Sequence, residues 1–295
     1  PEQRAADAAL IKREATRLGF DDCGLARADF LEDEARYLEQ WLKRHAHGDM
    51  QFMERHFDKR VDPRELVPGA KTVLCVMKNY FTRQDLPPGV PKISKYAYGE
   101  DYHRVLKERL HELLDVIQTQ LGPGINGRAF VDSAPIMDKA WARRAGLGWM
   151  GKHTNILRRD GGSFFFLGEL VLDVELPTDA PVTDHCGSCR RCIDACPTEA
   201  LTPYEIDASR CISHLTIELK DTMPDEFAGK LEGWAFGCDI CQDVCPWNNF
   251  AEEHQEERFR PLDLLMQNTQ QDWASLSSSQ FNKRLKNSQL SRIRK

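Results

Sequence analysis

Three observations predict an α/β domain over residues 1–180, a cysteine-rich module over 181–250 and a short basic helical segment over 251–295. Amphipathic helical segments alternate with β-rich runs as far as Leu176. From Pro177 onward Pro181, Pro197, Pro203, Pro224 and Pro246 punctuate a stretch with little periodicity, and eight of the ten cysteines fall there. The charge is split: from Arg258 to Lys295 eight basic residues face only Asp263 and Asp272, a net of +6, which leaves −12 for the rest of a chain whose net charge is −6. An acidic body with a basic end suits a polyanionic partner at that end.

The elements follow in order. Leu10, Ile11, Ala15 and Leu18 form one helical face over residues 7–18, with Gly19 where a helix stops. A short strand is expected at Asp22 to Ala26, and Leu31, Ala35, Leu38 and Leu42 space a second helix over residues 31–45. Lys71 to Tyr80 is β-rich, and Pro87, Pro88, Gly89 and Pro91 mark the loop after it. Asp101 to Leu121 reads as a long amphipathic helix ended by Gly122. Then come a strand at Arg128 to Val131, a helix from about Pro135 to Ala145, a glycine-rich turn and a strand within Phe164 to Leu176.

Composition excludes several classes. With 41% hydrophobic residues and 19 glycines among 295, the chain is ordinary globular protein, not disordered, collagen-like or mucin-like. Its longest apolar stretch, Ser163 to Leu176, is interrupted by Glu169 and Asp173, short of the roughly 18–20 residues of a membrane span. Charges through the first twenty residues leave no signal-peptide core, so a cytoplasmic location is expected, although the chain opens at Pro1.

Cys186, Cys189, Cys192 and Cys196-Pro197 form the run C-x2-C-x2-C-x3-C-P of cluster-binding ferredoxins. Cys211, Cys238, Cys241 and Cys245-Pro246 repeat it with the first gap enlarged to 26. Crossed ligation of the ferredoxin-like type assigns Cys186, Cys189, Cys192 and Cys245 to one 4Fe-4S cluster, and Cys196, Cys211, Cys238 and Cys241 to the other. Disulfides suit neither a reducing compartment nor a chain of this size. Two tetrahedral zinc sites, each held by four thiolates, are the competing reading, against which the 2-2-3 spacing and the proline favour iron and sulfur. Cys23 and Cys75, in apolar strand-like context, are expected as core thiols.

Other motifs are weaker alone. Gly146-Leu-Gly-Trp-Met-Gly-Lys-His153 matches G-x-G-x-x-G, yet a helix precedes it where a nucleotide loop needs a strand, which favours a helix-terminating turn over a loop across a cofactor. Asp132 ends a strand and by itself reads as a turn or capping carboxylate, with a catalytic acid as the alternative. Asp101-Tyr-His103 matches the start of the D-x-H-x-x-G signature of cobalamin-ligating proteins, but Leu106 stands in place of the glycine. His103 is therefore expected in the first turn of a helix rather than on a metal.

Taken together, Lys95 to His103, Val131-Asp-Ser133, Arg144 to Lys152, Cys186 to Pro197, Arg210-Cys-Ile-Ser213 and Gly237 to Pro246 resemble the epoxyqueuosine reductase family, cobalamin-dependent iron-sulfur enzymes of tRNA modification, over about residues 5–250. The resemblance implies an α/β (α+β) cobalamin-binding domain followed by the two-cluster module, with the cofactor held base-off between them. Electrons would pass through two 4Fe-4S clusters to cobalamin, which would reduce the epoxide of epoxyqueuosine at the tRNA wobble position to the alkene of queuosine. It also implies that Asp132 is the proton donor and that Arg60, Ser94, Asp132, Ile156, Leu167, Ser213, Cys238 and Asp239 line the corrin. Ser94 stands where some relatives carry cysteine, so a thiol is not essential there. Reductive opening of an epoxide needs a general acid, which a carboxyl supplies if burial raises its pKa.

The partners implied are tRNA carrying epoxyqueuosine and an unidentified reductase or flavodoxin-type electron donor, with no membrane, and nothing calls for more than a monomer. Many family members continue into a helical-repeat domain where this chain stops at Lys295, so a shorter form and a truncation are both open. Lys283, Arg284, Lys286, Arg292, Arg294 and Lys295, with Arg190 and Arg191, are candidates for RNA backbone contact, the alternative being a solvated tail. Two rival functions carry the same cysteines: a reductive dehalogenase-like corrinoid reductase acting on a small molecule, and a plain iron-sulfur electron-transfer protein.

Overall fold

The structure is a computed structural model that describes residues 2–293, so Arg294 and Lys295 of the basic end lie outside the described residues. The helices are α1 (Glu2–Arg17), α2 (Glu32–Lys43), α3 (Phe57–Val61), α4 (Tyr102–Leu121), α5 (Asp138–Arg144), α6 (Arg191–Asp194), α7 (Ile212–Ile217), α8 (Ile240–Asp243), α9 (Asp263–Gln267), α10 (Gln270–Ser275) and α11 (Ser278–Arg284). The strands are β1 (Asp22–Arg27), β2 (Thr72–Asn79), β3 (Lys92–Ile93), β4 (Gly127–Phe130), β5 (Trp149–Met150), β6 (Ile156–Leu157), β7 (Phe165–Leu172), β8 (Leu201–Thr202), β9 (Glu205–Ile206) and β10 (Trp234–Phe236). No described helix is long and apolar enough to cross a membrane.

The central sheet has the order β1-β2-β7-β4, and every pairing in it is antiparallel. The α+β form of the expected class is therefore the observed one. Strand alternation sends Leu74 and Val76 to one face, packed with Ile11, Ala15, Leu110 and Leu113 of α1 and α4. Val73, Cys75 and Met77 go to the other face, packed with Leu38, Trp41 and Trp141 of α2 and α5. Cys23 and Cys75 are core thiols, as expected, one on each face. Both faces covered by helices explain why β2 is apolar almost without interruption. Gly24 is required by this packing, because a Cβ there would stand 2.0 Å from the Ala145 carbonyl oxygen at the end of α5.

Two local expectations are corrected or refined. Helix α5 starts at Asp138, later than Pro135, because residues 132–137 form an irregular loop that turns on Asp132 at φ +35°. The glycine-rich Gly146 to Lys152 stretch ends α5, with Gly146 at φ +75°, and leads into the β5–β6 hairpin. A helix before and a strand after make it a helix-ending turn.

The C-terminal segment is helical but short-pieced, with capping boxes at Thr269/Asp272 and Ser277/Gln280 starting α10 and α11. It is no loose tail. Leu265, Leu276, Phe281, Leu285 and Leu290 pack on Ile93, Ala97, Tyr98 and Phe236, beside the parallel β3–β10 pair. That docking carries residues 285–292 back to the start of α4, where Asp101 N–H donates to the Asn287 carbonyl at 2.7 Å.

Candidate active site

The cysteine-rich module surrounds its thiols with short helices and turns. A cavity of about 280 Å³ is lined by Cys186, Cys189, Cys192 and Cys245. Cys186 and Cys189 come from the loop leading into α6, Cys192 from α6 itself, and Cys245 from just past the end of α8, which packs on α6. The Lys152 ammonium, buried, fastens the first loop by donating to the carbonyls of Gly187 at 2.6 Å and Cys189 at 2.9 Å. The other four thiols form a second neighbourhood: Cys211 lies within electrostatic reach of Cys196, and Cys238 of both. Burial, with smaller contributions from Cys211 and Cys238, pushes the Cys241 thiol well above the ordinary value. Among the described residues no three His, Cys, Asp or Glu converge on a point that would hold a single ion. Cys186, Cys189, Cys192 and Cys245 ring a space instead, an arrangement suited to a multi-atom cluster.

Asp132 sits at the end of β4, where Ser133 N–H bonds back to the Val131 carbonyl across it in a γ-type turn. A positive φ at a non-glycine residue is a strained position of the kind found at functional sites. Its half-exposed carboxylate accepts from the Tyr102 hydroxyl on Oδ2 and meets His103 Nε2 at 2.5 Å on Oδ1. The other imidazole nitrogen lies 2.8 Å from Asp101 Oδ1, the N-cap of α4. Partial burial raises the Asp132 pKa, but the His103 hydrogen bond and charge and the Tyr102 hydroxyl outweigh it and hold the carboxyl below the usual range. The expectation of a burial-raised acid is thus corrected. Burial depresses His103, yet its bonds to Asp101 and Asp132 carry it up to about 9. The carboxylate's contribution to stability is lost as pH falls through its lowered pKa, and the imidazolium's as pH rises through about 9.

Behind Asp132 lies an acid pair. Asp138 Oδ1 accepts the Asp132 backbone N–H at 3.2 Å, and Glu169, fully buried on β7, lies against Asp138 with no donor for either of its oxygens. Burial and then the neighbouring carboxylates push Glu169 well above its ordinary value, and burial with the Asp132 charge pushes Asp138 to about 6. A shared proton resolves the missing donor. The folded pair holds a proton that the unfolded chain releases, so stability falls as pH rises above the ordinary carboxyl range. Glu169→Gln supplies a permanent donor and is expected to raise the thermal unfolding midpoint by about 2–4 °C at pH 8. The gain should shrink at pH 5, and an equal change at both pH values would refute the shared proton.

The other residues expected around a corrin are distributed as follows. Ser94 Oγ donates to Asp239 Oδ1, and Lys95 N–H donates to Asp239 Oδ2 at 2.8 Å, joining the β3 end to the start of α8. Asp239 is buried and raised to about 6 by that burial. Cys238 adjoins it. Ile156 on β6 is buried and Leu167 on β7 half-buried, while Ser213 lies at the start of α7, two residues past Cys211. Arg60 of α3 is buried, donates to the Phe52 carbonyl at 2.7 Å, and leaves its Nε without a partner. Lys139 of α5 feels Cys241, Asp138, Cys211 and Asp132, so one side chain is within electrostatic reach of both the loop carboxylate and the second cysteine group.

Sequence reasoning missed Tyr102, Asp138, Glu169 and Gln289, and gave His103 no role. The Asp101-x-His103 spacing was the available signal, since it lets a helix N-cap carboxylate hold the ring. Of the basic end, Lys283, Arg284, Lys286 and Arg292 are exposed and, among the described residues, carry no ion pair. Arg292 makes a small electrostatic contribution at both Asp132 and Asp101.

Comparison with known proteins agrees with this geometry. Residues 185–248 match the 4Fe-4S double cluster binding domain, and residues 60–133 match the family described as epoxyqueuosine reductase QueG, DUF1730. An epoxyqueuosine reductase of Leadbetterella byssophila is 56% identical over 284 residues, covering 96% of this chain and 93% of that protein. The crystal structure of an epoxyqueuosine reductase with an epoxyqueuosine-modified tRNA-Tyr stem loop superposes at TM-score 0.89 with 30% identity, over 96% of this chain and 76% of that one. A Bacillus subtilis epoxyqueuosine reductase with its catalytic aspartate loop swung out of the active site matches at TM-score 0.88 and 29% identity, over 96% and 76% of the two chains. A B12-dependent reductive dehalogenase shares the fold alone, at TM-score 0.52 and 15% identity, over 85% of this chain and 33% of that one. With a two-cluster module behind an antiparallel α+β domain and a relative alike over nearly the whole length of both chains, this chain belongs to the epoxyqueuosine reductase family.

Proposed function

We propose that this protein reduces epoxyqueuosine to queuosine at the wobble position of tRNA, in the cytoplasm and as a monomer. Residues 1–180 would form the cobalamin-binding catalytic domain, 181–250 the two-cluster module and 251–295 a helical segment. The observation that carries this reading is the position of Asp132, a strained loop carboxylate that shares one electrostatic neighbour, Lys139, with the Cys211 and Cys241 thiols. The B. subtilis relative, of the same family, is described with a catalytic aspartate loop, which supports a role of this kind for Asp132.

The residues present fit both cofactors. Cys186, Cys189, Cys192 and Cys245 ring a cavity and would hold one 4Fe-4S cluster, facing an external reductase or flavodoxin-type donor. Cys196, Cys211, Cys238 and Cys241 would hold the other, nearer Asp132. For cobalamin, the unpartnered Arg60 Nε, the apolar Ile156 and Leu167, and the polar Ser94, Ser213 and Asp239 offer the mixed lining a corrin with amide side chains requires. Bound there, the corrin supplies a strong two-electron nucleophile that no protein side chain can provide. The chain's own tasks are to orient the substrate, exclude water and deliver protons to the departing oxygen through Asp132. Arg292, beside Asp132, and the exposed Lys283, Arg284 and Lys286 would meet the tRNA backbone, with Arg190 and Arg191 as further contacts.

The test is anaerobic incubation of the cluster-loaded protein with cobalamin, a strong reductant and an epoxyqueuosine-containing tRNA stem loop. Queuosine nucleoside by mass spectrometry is the expected result. Full cluster and corrin spectra with no product, or halide release from small organohalides instead, would sink the reading.

A further inference from the structure

Reducing an epoxide to an alkene consumes two electrons and two protons. Both C–O bonds break, the second C–C bond forms, and both protons leave with the oxygen as one water. Reduced clusters would supply the electrons, but a carboxylate held in its charged form brings no proton of its own. The protons must therefore reach Asp132 from a neighbour, and the candidates are the groups that touch it.

Those groups are few. On α4, the Tyr102 hydroxyl donates to Oδ2, and the His103 ring stacks on Tyr102 at 4.2 Å between centroids with its Nε2 2.5 Å from Oδ1. From the N-cap of the same helix Asp101 Oδ1 lies 2.8 Å from Nδ1. From the C-terminal segment the buried Gln289 amide donates to the same Asp101 oxygen and lies 2.8 Å from Nδ1. Arg292, on that segment, bears on both carboxylates, and Asp138 of α5 stands behind the Asp132 backbone. His103 thus has a carboxylate at each ring nitrogen, an arrangement that favours the doubly protonated ring. Its side chain keeps 14% exposure, enough for exchange with solvent.

We propose that His103 is the proton store of the reaction, passing protons to Asp132 through the Nε2 contact, with Asp101 and Gln289 as positioning residues that hold the ring in line. Each delivery moves the Nε2 proton to Asp132 Oδ1, and the carboxyl so formed then passes a proton to the substrate oxygen and returns to carboxylate. The imidazole regains a proton from water before the second delivery. Tyr102, whose hydroxyl is pushed well above its ordinary value by burial and the Asp132 charge, orients the carboxylate and does not empty its own proton. The inference rests on the proposed epoxyqueuosine reduction.

Two measurements on the full chain test it. Ring nitrogen-15 spectra of the cofactor-free protein should show His103 titrating near 9, and Asp132→Asn should bring the midpoint below about 8. A wild-type midpoint at or below about 6.5 would overturn the proposal. In single turnovers of the loaded enzyme with the modified stem loop, the wild-type rate should stay level to about pH 8. His103→Gln keeps a side-chain hydrogen-bond group without a transferable proton. Its rate should fall tenfold per pH step from about pH 5, reaching a loss of about 10²-fold near neutrality, with cluster and corrin reduction unchanged. A uniform drop with the wild-type pH profile would mark a merely structural role and refute the store. Absence of product from the wild-type enzyme at every pH would instead refute the functional reading, while the nitrogen spectra still decide the protonation of His103.

Discussion

Asp132→Asn is expected to lower conversion of epoxyqueuosine by about 10²–10⁴-fold while the absorption and EPR signatures of bound clusters and corrin stay as in the wild type. Asparagine tolerates the positive φ that the turn at Asp132 demands about as well as aspartate does, so the loop should keep its shape. Its single amide oxygen still accepts from one of the two donors, Tyr102 or His103, while the amide nitrogen replaces the other oxygen. What is lost is the proton-carrying carboxyl and the charge that keeps His103 protonated, which strikes the chemical step and leaves electron entry alone. Product formation within tenfold of wild type, measured in a single turnover, would remove Asp132 from the proton path.

The second large effect concerns the clusters. Cys245→Ala should cut bound iron from about eight atoms per chain to about four, and stop turnover with any protein donor. The remaining EPR spectrum should equal that of Cys192→Ala, because Cys245 and Cys192 line one cavity. Cys196→Ala and Cys238→Ala should share a different spectrum. If Cys245→Ala matched Cys238→Ala instead, each consecutive run of cysteines would hold its own cluster and the crossed pattern would be wrong. The Trp149–Trp247 contact, with ring centroids 5.3 Å apart, packs beside Cys245 and should preserve the fold around the emptied cavity.

Much of the fold was legible because its signals are local. Helix α4 was bounded by an N-cap aspartate and a glycine, and its buried stripe of Val105, Leu106, Leu110, Leu113 and Ile117 follows helical spacing. Strands β2 and β7 announced themselves as apolar runs, and the doubled cysteine motif has a spacing set by the cluster chemistry. The antiparallel order was not legible, since a strand buried on both faces reads the same in either direction. Nor was Glu169, which interrupts an apolar strand and would ordinarily mark a solvent face. In β7 it points at Asp138, and only the neighbour makes a buried carboxyl tolerable.

The sequence by itself determined the doubled cysteine motif, the places of the main helices and long strands, the loop position of Asp132 and the family to which the chain belongs. The tertiary structure decided the protonation of the site. Asp132, taken with its own neighbours in the chain, is a turn carboxylate that burial should turn into an acid. Folding brings the first turn of α4 against the end of β4 and lays Gln289 across them from the C-terminal segment, which lowers the pKa of Asp132 and raises that of His103. Spacing along the chain encodes local geometry, whereas a pKa is set by charges and hydrogen bonds gathered through space from segments far apart in sequence.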